Sequence, residues 1–209
     1  MTTLMSNTIY ALVRKGFPVH HAKTLDEAKA IVMSLIPEGA SVGFGGSVTL
    51  REMGLYDELK NTGRIPHWHW MNDEPKPEVF ALAAASDVYL SSSNAITADG
   101  CLVNIDGTGN RVGAMIAGPK QVIIVAGANK LVNGRSPAGS SVPQAIARIK
   151  TVACPQNARR LGLDTPCARE NRCDAANCQH SMCNVTSIIE RPVGGHKITI
   201  VLVDEEAGY

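Results

Sequence analysis

The chain has 209 residues, 44% of them hydrophobic, which suits a single globular domain over 1–209. Lys and Arg number 20 against 19 Asp and Glu, a formal net charge of +1, and so balanced a chain argues against a nucleic-acid or anionic-membrane binder. Apolar runs such as VIIVAGA (122–128) are too short to span a bilayer, and the N-terminal MTTLMSNTIYALVRKGF lacks the order of a signal peptide, so the expected location is cytoplasmic.

Along the chain, TLDEAKAIVMSLI (24–36) predicts a helix, with Leu25, Ala28, Ile31, Val32, Leu35 and Ile36 on one face. Thr24 and Glu27 form a capping box, and Pro37 ends the helix. SVGF (41–44) reads as a buried strand running through the turn GGSVT into a helix, VTLREMG. Further helices are expected at 77–85, around VGAMIAG, and at 142–150, where Pro143 suits a first turn. Strands are expected at 87–93, 121–127 and 197–203. Strands alternating with helices imply an α/β fold with a mainly parallel sheet flanked by helices. Residues 154–192 stand apart as a Cys-rich excursion with little apolar periodicity.

Several stretches carry candidate chemistry. Gly45-Gly46-Ser47 follows a strand and precedes a helix, where glycines admit an anion to free N–H groups; Ser47 and Thr49 add hydroxyls. A tight capped turn explains the same residues without a ligand. In NAITADGCLVNIDGTGNRV (94–112), ADGC and IDGT are both hairpin-turn signals. Turn chemistry covers Asp99, Gly100, Asp106 and Gly107 but not Thr108, Gly109, Asn110 and Arg111. An Arg at a helix start opposes the macrodipole, so another demand places Arg111 there. Asn129-Lys130 ends the strand at 121–127, where open α/β sheets bind ligands, so Lys130 suits an anionic group. Asp99 and Asp106 are the candidate catalytic carboxylates, with Lys130 beside them. His67-Trp68-His69-Trp70 fits an edge strand with aromatic cover better than a metal site.

Cys167, Cys173, Cys178 and Cys183 are spaced C-x5-C-x4-C-x4-C, unlike a zinc ribbon or a ferredoxin run. Clustered thiols in a reducing compartment point to zinc or an iron–sulfur cluster, with His180 as a further candidate ligand. Reduced, partly buried thiols are the alternative.

VGFGGSVTLREMGL, SNAITADGCLVNIDGTGNRV, AGPKQVIIVAGANKLV, AIARIK, CPQNARRL and TPCARENRCDAANC, in this order, resemble the LUD-domain proteins of lactate utilisation. The resemblance implies the three-layer α/β fold shared with CoA transferases, ribose-5-phosphate isomerase and glucosamine-6-phosphate deaminase. It places Gly43, Gly45, Gly46 and Ser47 where the isomerases hold a sugar phosphate. Asp106-Gly107 and Asn129-Lys130 fall at places like the isomerase's glycine-rich turn and strand end. No DGADE-like acidic cluster is present, and no Glu stands in the NAITADG region to serve as a CoA-transferase acyl acceptor. The resemblance implies an accessory or electron-transfer-linked component of L-lactate oxidation to pyruvate, with iron–sulfur subunits as partners. The alternatives are an enzyme acting on a small phosphorylated or acyl-CoA substrate, or a non-catalytic sensor of a small anionic ligand. Whether the chain catalyses anything alone, and whether it forms a homo-oligomer, stay open at this level.

Overall fold

The computed structural model describes residues 1–134 and 139–209. The chain opens with α1 (Thr3–Arg14), where the Thr2 side chain accepts from Met5 N and Met5, Thr8 and Leu12 form the buried face. β1 (Val19–Ala22) leads to α2 (Leu25–Leu35), capped as expected by Thr24, which accepts from Glu27 N. The Glu27 carboxylate reaches back to Lys23 N at 2.7 Å, one residue earlier than the capping box places it. β2 (Ser41–Phe44), α3 (Val48–Glu52), α4 (Leu55–Asn61) and β3 (Ile65–His67) follow, then α5 (Lys76–Ala85) and β4 (Val88–Ser91). β5 (Ala95–Thr97) and β6 (Leu102–Asp106) form a hairpin whose turn is the expected ADGC, with Gly100 at φ 81°. IDGT makes no second hairpin: Asp106 ends β6, and Gly109, also at φ 81°, caps α6 (Asn110–Ala117).

β7 (Gln121–Gly127) passes through a short 3-10 turn, Ala128–Lys130, into β8 (Leu131–Val132). α7 (Val142–Arg148) continues through a π-helical segment, Ile149–Ala153, into α8 (Cys154–Arg160). Pro155 accounts for the widened turn, because it has no N–H for the carbonyl four residues back and its ring crowds that carbonyl. α9 (Pro166–Glu170), β9 (Val185–Ile189) and β10 (Lys197–Val203) complete the fold. The excursion at 154–192 is therefore more regular than its composition suggests.

β1, β10, β7, β4, β2 and β3 form, in that order, one wholly parallel sheet. Along β7, Ile123 and Val125 pack toward α2, while Val122, Ile124 and Ala126 pack toward α1, α5 and α6. A strand buried on both faces needs a continuous apolar run, and each Val or Ile so buried contributes about 1.5–3 kcal/mol. This is the three-layer α/β arrangement. A second sheet, β8-β5-β6-β9, packs on α7 and the π segment through Ala95, Val103, Ile105, Ala145 and Ile149. β3 is an edge strand, as expected for the His-Trp-His-Trp stretch, but it stops at His67. Trp68 turns inward, 1% exposed, and stacks between Phe44 and Trp70.

Candidate functional site

The carboxyl ends of β2, β4 and β7 open into a cavity of about 390 Å³, closed on its other side by the second sheet and α8. That volume is ordinary for a small-molecule site. After β2, Gly46 and Ser47 line it, and Ser47 accepts from Leu50 N to cap α3. After β4 come Ser92, Ser93 and Asn94; the end of β6 brings Asp106 and Gly107.

Lys130 reaches the cavity from the turn after β7 and is 3% exposed. Its Nζ donates to Thr49 Oγ1 at 2.7 Å and to Ser92 Oγ at 2.8 Å. Among the described residues it takes part in no ion pair. Burial, then the nearby Arg148 and Arg111 cations, push its pKa down to about 7, against a smaller upward pull from Glu52. Hence a proton on Lys130 is easily gained or lost near neutrality.

Arg111 is also buried, and its guanidinium is already engaged. Nη1 donates to Asn104 Oδ1 at 2.7 Å and Ser92 O at 3.3 Å; Nη2 donates to Asn94 Oδ1 and Ile105 O, both at 2.9 Å. Its Nε lies 3.8 Å from Asp106 Oδ2, which in turn accepts from Val112 N at 3.1 Å. Arg111 thus ties the ends of β4 and β6 to the start of α6, which is the demand that overrides the macrodipole. Gly45 admits it: a Cβ there would lie 2.9 Å from Arg111 Cγ. Arg148 donates to Asn94 O at 2.8 Å and Asn129 O at 2.9 Å.

The rim is aromatic and cationic. Arg160 stacks over Trp70 at 4.5 Å and donates to Tyr209 Oη at 2.8 Å. His69 lines the cavity; its pKa is lowered to about 4 by burial first, then by Lys76 and Arg160, so it is neutral at physiological pH. With the buried Lys130 and Arg111 and the half-buried Arg148 near Asp106 and Glu52, and hydroxyls converging on Lys130, this arrangement can hold a small anion.

The LUD-domain family model matches residues 5–203. The chain belongs to the LUD-domain family. That family is linked in general to lactate utilisation. Among solved structures, a DUF162 family protein from Deinococcus radiodurans shares the fold, with a TM-score of 0.53 and 11% identity over 96% of this chain and 95% of that one. No curated protein matches the chain.

Within this LUD domain the structure gathers Gly46, Ser47, Asp106, Gly107, Thr108, Asn110, Arg111 and Lys130 around one cavity. Thr49 lies behind it, bonded to Lys130, and Gly45 beneath Arg111. Gly109 is the left-handed cap of α6, while Thr108 and Asn110 bond each other. Asn129 turns away: its amide accepts from Ala207 N and donates to Gly208 O, fixing the segment that brings Tyr209 to the rim. Asp99 is not brought to this cavity. It sits in the β5–β6 turn, accepting from Ser141 N at 3.2 Å, beside a separate hollow lined by Tyr10, Arg14 and Lys15. Burial raises its pKa, but the Thr97 and Ser141 hydrogen bonds outweigh this and hold it below the usual range. The sequence reading missed Ser92, Ser93, Asn94, Arg148 and Arg160. The run SSSN directly after a core strand was the available signal for the first three.

The four expected cysteine ligands differ in burial, and Cys167, Cys173 and Cys183 lie near enough to Cys178 for each to push its pKa up, after burial as the largest cause. Cys167 is buried, Cys173 exposed, and Cys178 and Cys183 half-buried. Among the described residues no three His, Cys, Asp or Glu side chains stand as a metal-holding group. Cys183 also meets Cys154, with the two Sγ atoms 3.3 Å apart. This hydrogen bond holds the Cys183 thiol below its ordinary range and, together with burial, pushes Cys154 above it. Among the described residues no helix is long and apolar enough to cross a membrane.

Proposed function

We propose that the protein serves L-lactate oxidation to pyruvate as an accessory component that holds a small anion in this cavity, working with iron–sulfur subunits. Family membership supports the pathway. The observation that carries the anion is the buried Lys130 Nζ, held by two hydroxyls and in no ion pair among the described residues. A buried ammonium without a counter-charge is costly, and an anionic ligand offsets that cost. Deletion of the gene should abolish growth on L-lactate as sole carbon source. The wild-type chain should restore it and Lys130→Met should not; full rescue by that variant would remove Lys130 from the function.

The cavity volume, about 390 Å³, favours a second reading, because a three-carbon acid leaves much of it unfilled. In that reading a phosphorylated ligand or the end of an acyl-CoA occupies the same cleft, bound for turnover or for sensing. Mass spectrometry of small molecules retained by the purified protein separates the two readings.

A further inference from the structure

Cys154 opens α8 and lines the anion cavity, and Cys183 stands just before β9. They are 29 positions apart in sequence, yet their Sγ atoms are 3.3 Å apart. A disulfide has a bond near 2.05 Å, so closing this pair requires a movement of roughly 1 Å. Among the described residues no other two sulfurs make such a contact. The neighbouring residue Met182 also lines the cavity, and Asn157 donates to its sulfur at 3.6 Å. The contact thus joins the cavity wall on α8 to the strand of chain returning from the excursion.

We propose that Cys154 and Cys183 form a thiol–disulfide exchange site that reacts with low-molecular-weight disulfides such as glutathione disulfide. Cys154 is 4% exposed, whereas Cys183 is half-buried, so Cys183 is the attacking residue and Cys154 resolves. Cys183 Sγ, having given its proton to solvent, attacks one sulfur of the small disulfide; that S–S bond breaks and one thiolate leaves and is protonated. Cys154 Sγ then loses its proton and attacks Cys183 Sγ, expelling the second thiolate. The protein loses two thiol hydrogens, and one small disulfide becomes two thiols. The new bond pins the excursion between residues 154 and 183 to the cavity wall, and excess thiol reverses it.

The test uses the full chain, reduced anaerobically, incubated with glutathione disulfide at neutral pH, alkylated and mapped by mass spectrometry. Wild type should yield a Cys154–Cys183 crosslinked peptide. Cys154→Ser should accumulate glutathione on Cys183, and Cys183→Ser should give no crosslink and leave Cys154 free. Circular dichroism checks that each variant folds, with Cys154→Ala as the substitute if the serine does not. Pairing of Cys183 with Cys167, Cys173 or Cys178 would overturn the proposal. So would an unreacted Cys183 in protein whose exposed Cys173 is modified, or stoichiometric zinc or iron shielding both thiols.

Discussion

Lys130 Nζ donates to Thr49 Oγ1 at 2.7 Å across 81 positions of sequence, joining the turn after β7 to the first turn of α3. The same ammonium holds Ser92 after β4, so one buried cation gathers the carboxyl ends of strands whose neighbourhood in space only the sheet order creates. Gly208 presses on this contact, since a Cβ there would lie 2.7 Å from Thr49 Oγ1.

Lys130 makes anion binding pH-dependent. Its pKa near 7 lies well below the unfolded value, and an anion favours the charged form. Affinity for sulfate, whose charge is constant here, should fall as pH rises through 7, approaching tenfold per unit at higher pH for a single linked proton. The free protein should show the opposite trend. The unfolded chain binds the extra proton between the two pKa values, so Lys130 adds stability as pH rises above 7. Calorimetric titrations and urea unfolding across this range check both signs.

Gly45→Ala should destabilise the chain by about 1–3 kcal/mol, because the new methyl has no room beside Arg111 Cγ at 2.9 Å and Ser91 Oγ at 3.0 Å. The displaced guanidinium should weaken sulfate binding as well. Urea unfolding gives the first quantity, and titration of the folded variant the second.

Trp68→Ala should cost about 3–5 kcal/mol in urea unfolding, as for other large buried aromatics. Trp68 is 1% exposed and stacks on Phe44 at 4.8 Å and on Trp70 at 5.2 Å. A loss below that of a surface substitution would mean the stack is not part of the core.

Asp99→Asn should leave sulfate affinity unchanged, since Asp99 belongs to the β5–β6 turn and a different hollow. Asp106→Asn should weaken it, because Asp106 lines the cavity and both caps α6 and faces Arg111. Equal effects of the two substitutions would contradict this division.

The parts of the fold legible in sequence are those set by local pattern. QVIIVAG and KITIVLV are apolar at every step, as strands covered on both faces must be, and they are β7 and β10. Lys130 was legible because it ends such a strand. The role of Arg111 was not: its partners are carbonyls and amides at 92, 94, 104 and 105, which carry no charge pattern to reveal the pairing. The Cys154–Cys183 contact was not legible for a related reason. Four of the cysteines are close in sequence, but the sulfur that meets Cys183 belongs to Cys154, delivered by the helix that Pro155 re-registers. The Asp-Gly pairs looked alike, yet only the first is flanked by two strands that pair with each other.

The central claim is that the cavity holds an anion on Lys130, and isothermal titration of sulfate and of L-lactate at pH 6.5 into wild type and Lys130→Met tests it most directly. Loss of a hydrogen-bonded buried charge should lower affinity by at least about tenfold, while the variant folds with unchanged or greater stability because an unpaired buried ammonium is gone. Equal affinities in the two proteins, or no binding of either anion to wild type, would contradict the account.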